Sequence, residues 1–98
     1  MTESGIYISK YAGLAIRAGE AAFGIDALEK LRRAGAVLID SGAAERTKKL
    51  ARECAAKLKA GVVEVDNLGE IAHSDGVKVL AIKNYELAKQ ILRGNIHE

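Results

Sequence analysis

The chain has 98 residues, 49% of them hydrophobic and 29% charged, a balance that predicts one folded domain over residues 1–98 and excludes a disordered tail or a two-domain enzyme. Fifteen Lys and Arg against thirteen Asp and Glu leave a formal charge of +2, far below the surplus of a protein that coats polyanions indiscriminately. A single cysteine, Cys54, rules out an internal disulfide or a thiol cluster for zinc, and no apolar run approaches the roughly 18 residues of a membrane span. The start, Met1-Thr2-Glu3-Ser4, lacks the basic and apolar segments of a signal peptide, so a soluble, cytoplasmic protein is expected.

No proline occurs, and glycine punctuates the chain instead. Over residues 6–18 the apolar positions Ile6, Ile8, Tyr11, Leu14, Ala15 and Ala18 mostly recur at spacings of three and four, which predicts a helix stopped by Gly19. Its first residues, Gly5-Ile6-Tyr7-Ile8, also suit a short extended start. Residues 20–23 read as a short edge strand, and residues 25–33 as a short second helix with Leu28 and Leu31 on its apolar face. Ala36-Val37-Leu38-Ile39 is a continuous apolar run closed by Asp40-Ser41-Gly42, the pattern of a strand buried on both faces.

A third helix is predicted over residues 44–60, where Thr47, Leu50, Ala51, Cys54, Ala55 and Leu58 form a stripe opposite Arg46, Lys49, Arg52, Glu53, Lys57 and Lys59. Val62-Val63-Glu64-Val65 reads as a strand. Asn67 and Glu70 then have the spacing of a capping box for a short helix through Ala72. Residues 77–82 make another apolar strand, Asn84 caps a last helix bearing Leu87, Ala88, Ile91 and Leu92 on one side, and residues 94–98 read as a loose tail. Apolar strands alternating with amphipathic helices imply an α/β fold, an α/β/α sandwich with the sheet covered on both faces.

Ligand sites on such folds gather at strand-end loops and helix starts, which points to residues 24–30, 40–45 and 74–78. Neither of the glycine-rich phosphate cradles, G-x-x-x-x-G-K-S/T or G-x-G-x-x-G, occurs. Ser41 lacks a nucleophile elbow and a histidine with reason to approach it, so it reads as a turn residue. Cys54 lies on an apolar stripe and reads as core, and His73 and His97 are too few for a metal site. The carboxylate pairs Asp26 with Glu29 and Asp40 with Glu45 read as helix-start charges favoured by the macrodipole. With no catalytic constellation, no metal and no cofactor in view, a non-enzymatic protein is expected.

Five segments are more specific when taken together: Gly13-Leu14-Ala15-Ile16-Arg17-Ala18-Gly19, residues 24–30, residues 37–49 ending in Thr47-Lys48-Lys49, Asn67-Leu68-Gly69-Glu70-Ile71, and Val79-Leu80-Ala81-Ile82-Lys83. They resemble the family of the archaeal kink-turn-binding ribosomal protein, its eukaryotic large-subunit relative and the small bacterial YlxQ-like proteins. The bacterial members look most similar, through T-K-K at the start of the third helix and A-I-K ahead of the last. The resemblance implies a three-layer α/β/α sandwich with a central mixed sheet of about four strands. It also implies a partner, structured RNA with ribosomal RNA included, bound at a sharply bent duplex with tandem sheared G·A pairs.

In that family RNA meets the loop and helix start after the first strand. By position the resemblance assigns the RNA contact to Gly24, Ile25 and Asp26, with the missing side chain of Gly24 admitting the RNA backbone and Lys30 neutralising a phosphate. Between Gly24 and Val37 the chain is about three residues shorter than usual for the family, nearly one helical turn, which draws Arg33 and Arg32 toward the loop. Glu45 matches a second contact region by type, with Arg46, Lys48 and Lys49 beside it. The third region is residues 74–78, where Gly76 and Val77 fit the pattern and Lys78 adds a charge. Two positions depart from it: Asp26 stands where kink-turn binders commonly carry Asn or Lys, and Ala27 where they carry Glu or Gln. A carboxylate cannot donate to guanine O6 or N7 and repels phosphate, so the alternative is a protein-interaction module on the same fold that has lost specific RNA readout.

Overall fold

In the computed structural model, which describes residues 3–94, the chain runs α1 (Glu3–Arg17), β1 (Ala21–Phe23), α2 (Gly24–Glu29), β2 (Ala36–Asp40), α3 (Glu45–Leu58), β3 (Gly61–Val65), α4 (Leu68–Ile71), β4 (Val79–Ile82) and α5 (Tyr85–Gly94). The sheet order is β1-β4-β2-β3. β2 runs parallel to β3, with Ala36 opposite Gly61 and Asp40 opposite Val65, and antiparallel to β4, with Ala36 opposite Ile82 and Ile39 opposite Val79. β1 closes the other side, antiparallel to β4, so the sheet is mixed.

Alternation along the two central strands sorts the core into two layers. Ala36 and Leu38 of β2 and Leu80 and Ile82 of β4 pack with Ile8, Ala12 and Ala15 of α1, Leu68 and Ile71 of α4, and Ala88 and Ile91 of α5. Val37, Ile39, Val79 and Ala81 face the other way, onto Leu28 of α2 and Ala51 and Ala55 of α3. Both faces of β2 and β4 are covered, which is why these strands are written as unbroken apolar runs. The fold is the three-layer α/β/α sandwich with a four-stranded mixed sheet. Small residues bring α5 close: a Cβ on Gly35 would stand 2.5 Å from the Ala88 Cβ, and one on Gly61 would stand 2.6 Å from Leu92 Cδ2. Among the described residues no helix is long and apolar enough to cross a membrane.

Several boundaries differ from the expectation. α1 is helical from Glu3, so Gly5-Ile6-Tyr7-Ile8 is not extended; packing of one face of this helix on α5 overrides the local β preference of those residues. α2 ends at Glu29 instead of Arg33, where the N–H of Lys30 bonds the Ala27 carbonyl and that of Leu31 bonds the Leu28 carbonyl, leaving Arg32 and Arg33 in a loop. β4 begins at Val79, leaving Val77 and Lys78 outside the strand. Asn84 caps α5 as expected, its Oδ1 accepting from the Leu87 N–H at 3.0 Å. The capping box at α4 does not form. Asn67 has a left-handed backbone (φ 57) and makes no side-chain cap, and the Leu68 N–H donates instead to Oδ1 of Asp40 at 2.8 Å. Of the expected tail, Gly94 ends α5 and residues 95–98 lie outside the described residues.

Candidate nucleic-acid interface

β1 passes directly into α2 at Gly24, and its pairing with β4 places Phe23 opposite Leu80. The loop that feeds β4 therefore runs beside the start of α2. Between them opens a groove of about 320 Å³, lined by Phe23, Gly24 and Ile25, by residues 75–79, and by Thr47 of α3. Two of the three loops singled out in the sequence thus meet in one place.

Gly24 and Gly76 contribute to this groove with φ of +86° and +84°, and a Cβ built on either meets no atom within 4 Å. Backbone conformation, not crowding, requires glycine at both positions, and the space above each is open to a ligand. Phe23, 44% exposed, and Ile25 and Val77, both half-buried, give the groove apolar surface. No side chain caps the start of α2, and Asp26 is exposed in its first turn. Lys30 and Arg33 are exposed beyond the helix and take no part in an ion pair among the described residues.

The second expected region contributes less. Thr47 is the residue of α3 that reaches the groove, whereas Glu45 is exposed at the start of that helix. Lys48 is not a free cation: its side chain is 12% exposed, and its Nζ lies 3.0 Å from Oε1 of Glu64 and 3.9 Å from Oε1 of Glu45. The structure thus gives Lys48, expected to meet phosphate, a carboxylate partner on β3. Arg52 joins it on Glu64 at 2.7 Å, and the two cations, Lys48 first, hold the Glu64 carboxyl below its ordinary pKa. Arg46 and Lys49 remain exposed.

Lys78 lines the groove but is also tied, its Nζ 3.4 Å from Oδ2 of Asp40. Asp40 is itself a correction. Paired with Glu45 in the sequence as a helix-start charge, it is in fact the last residue of β2 and is buried, 6% exposed. Its Oδ1 accepts from the Leu68 N–H at 2.8 Å, and its Oδ2 accepts from the Gly42 N–H at 2.9 Å and from Lys78. Against the cost of burial these donors, Leu68 foremost, keep its carboxyl below the ordinary value. The Asp-x-Gly turn at a strand end was a readable signal for the Gly42 bond. Beside it, Ser41 lies in the turn after β2 as expected, and its Oγ donates to Asp66 Oδ1 after β3, a long-range bond the turn reading did not anticipate.

Sequence reasoning missed Phe23, Thr47 and Val79 as lining residues, while Asp75 falls within the 74–78 loop it named. An aromatic side chain ending an edge strand beside Gly24 was the available signal for the first; nothing local marks the other two. Chemically the groove offers the peptide groups of two glycines, one hydroxyl, apolar surface, and the opposite charges of Asp75 and Lys78.

No protein-family model and no curated protein matches the chain. Among solved structures it is similar to a protein of unknown function from Bacillus halodurans, with a TM-score of 0.75 and 22% identity over 90% of this chain and 94% of that one. That likeness shows the shared fold.

Proposed function

We propose that the protein is a non-enzymatic, cytoplasmic RNA-binding protein of the kink-turn-binding ribosomal type, meeting structured RNA at the groove between the start of α2 and the loop before β4. The observation that carries this reading is the meeting of Gly24 and Gly76, both at positive φ with open space above them, in one groove. At each, a sugar–phosphate backbone reaches the peptide without a side chain in the way. Phe23, Ile25 and Val77 supply apolar surface for an unstacked base or ribose, and the exposed Lys30 and Arg33 supply charge for phosphates. Asp26 accepts from a base amino or imino group in place of the donor that the family commonly uses.

Titration of the labelled protein with a kink-turn RNA, followed by amide chemical shifts, tests this surface directly. The largest shifts are expected at Gly24, Ile25, Gly76 and Val77. Lys30→Glu should weaken binding about tenfold whatever the RNA sequence and flatten the salt dependence, as loss of a phosphate contact does. Asp26→Asn should strengthen binding to the intact kink by restoring a donor. If both variants bind like the parent, the surface is wrong.

A second reading, a protein-interaction module on the same fold, is favoured by the charge balance around the groove. Asp26 and Asp75 are acidic and exposed, while Lys48 and Lys78 are already paired with carboxylates. Retention on a polyanion column that does not fall with salt favours this second reading.

A further inference from the structure

The segment 68–78 carries Gly76 and Val77 of the groove, and one residue of β2 holds both of its ends. At the start, Oδ1 of Asp40 accepts the Leu68 N–H at 2.8 Å. At the end, Oδ2 of Asp40 lies 3.4 Å from Lys78 Nζ, and the Asp40 N–H donates to the Lys78 carbonyl at 2.8 Å. Oδ2 also accepts the Gly42 N–H at 2.9 Å, which ties the loop before α3 to the same carboxylate. Two further glycines keep this arrangement closed. A Cβ on Gly42 would stand 3.0 Å from Asp40 Oδ2. A Cβ on Gly69 would stand 3.1 Å from the Ser74 carbonyl oxygen, where the segment folds back and the Ser74 N–H donates to the Gly69 carbonyl at 2.9 Å.

We infer that Asp40 is a positioning residue for the groove: without lining it, its carboxylate sets the place of the Gly76–Val77 wall by gripping segment 68–78 at both ends. The chemistry asks for a carboxylate in particular. Three donors converge on its two oxygens, and an amide of the same shape has one acceptor oxygen, so whichever way it turns its NH₂ would face a donor: the Leu68 N–H, or both the Gly42 N–H and the Lys78 ammonium. Segment 68–78 contains only one turn of helix; Leu68 and Ile71 anchor that turn in the core, whereas residues 73–76 are exposed, so the carboxylate that binds both ends of the segment fixes where its exposed part lies. The inference rests on the proposed function for its consequence in RNA binding, while the positioning itself is measurable without RNA.

The test is native-state amide exchange on the full chain and on Asp40→Asn, Lys78→Gln and Gly42→Ala, together with affinity for the kink-turn RNA under conditions where each variant is folded. Asp40→Asn should speed exchange at Leu68, Ser74 and Val77 about tenfold beyond any change in α3 and α5. Lys78→Gln keeps the Leu68 and Gly42 bonds, so Leu68 should stay within a few-fold of the parent. Gly42→Ala, which presses on Oδ2 without removing the carboxylate, should reproduce the Asp40→Asn pattern at smaller amplitude and serves where Asp40→Asn does not fold. Affinity for the RNA should fall about tenfold in Asp40→Asn, in step with the loosened segment. Exchange that rises evenly across all elements, or a loosened segment with unchanged RNA affinity, overturns the inference. If the parent protein binds no kink-turn RNA, the proposed function fails, and the exchange pattern alone decides whether Asp40 holds the segment.

Discussion

Asp40 and Glu64 lie on neighbouring parallel strands, and each is an acid held by donors from other elements, yet they do different work. The register pairs Ile39 with Glu64 and Asp40 with Val65, so the two carboxylates point to opposite faces of the sheet. Glu64 faces α3, 37% exposed at its side chain, and takes the cations of Lys48 and Arg52. Asp40 faces α4, is buried, and takes two backbone amides and one ammonium. A surface cation released from Glu64 returns to water, whereas the amides of Leu68 and Gly42 have no other partner among the described residues. Burial and the nature of the donors, more than the count of ion pairs, separate a structural clamp from a surface latch.

The sharpest way to break this contrast is Asp40→Ala, which strips all three donors of their acceptor and should lower stability by about 3 kcal/mol in urea unfolding. Acid offers the same test without mutation. The Asp40 carboxyl titrates below its unfolded value of about 3.9, so its contribution is complete above that pH and is lost as pH falls through the lower folded value. The parent should therefore lose more stability between neutral pH and that range than Asp40→Asn does. Gly42→Ala, which crowds Oδ2 at 3.0 Å, should cost about 1 kcal/mol in the same unfolding assay. Glu64→Gln should have the smallest effect, a slight shift of the urea midpoint that disappears at high salt. A loss for Glu64→Gln as large as that for Asp40→Ala would erase the distinction.

Much of the fold was legible because its signals are local. The run Ala36-Val37-Leu38-Ile39 is a strand covered on both faces, and Asn84 lies three residues before the amide it caps. Asn67 and Glu70 offered the same kind of signal and misled, because Asn67 takes a left-handed backbone (φ 57) in place of the extended one of a capping residue, and the Leu68 amide is taken by a carboxylate 28 residues earlier in the chain. No local pattern shows such a bond. The candidate site was legible in part for the same reason. The glycines at 24 and 76 mark turns on their own, whereas their meeting depends on β1 pairing with β4. Lys48, read only as a charge beside the second contact region, is drawn under Glu64 by the parallel pairing of β2 and β3, which the sequence of α3 does not state.

The RNA reading is tested most directly by titrating the protein with a kink-turn RNA and with the same RNA carrying disrupted G·A pairs, each at two salt concentrations. Tighter binding to the intact kink at both salt concentrations is the predicted result. Equal, salt-sensitive binding to the two RNAs would contradict recognition of the kink, and no binding to either would contradict RNA binding at this groove altogether.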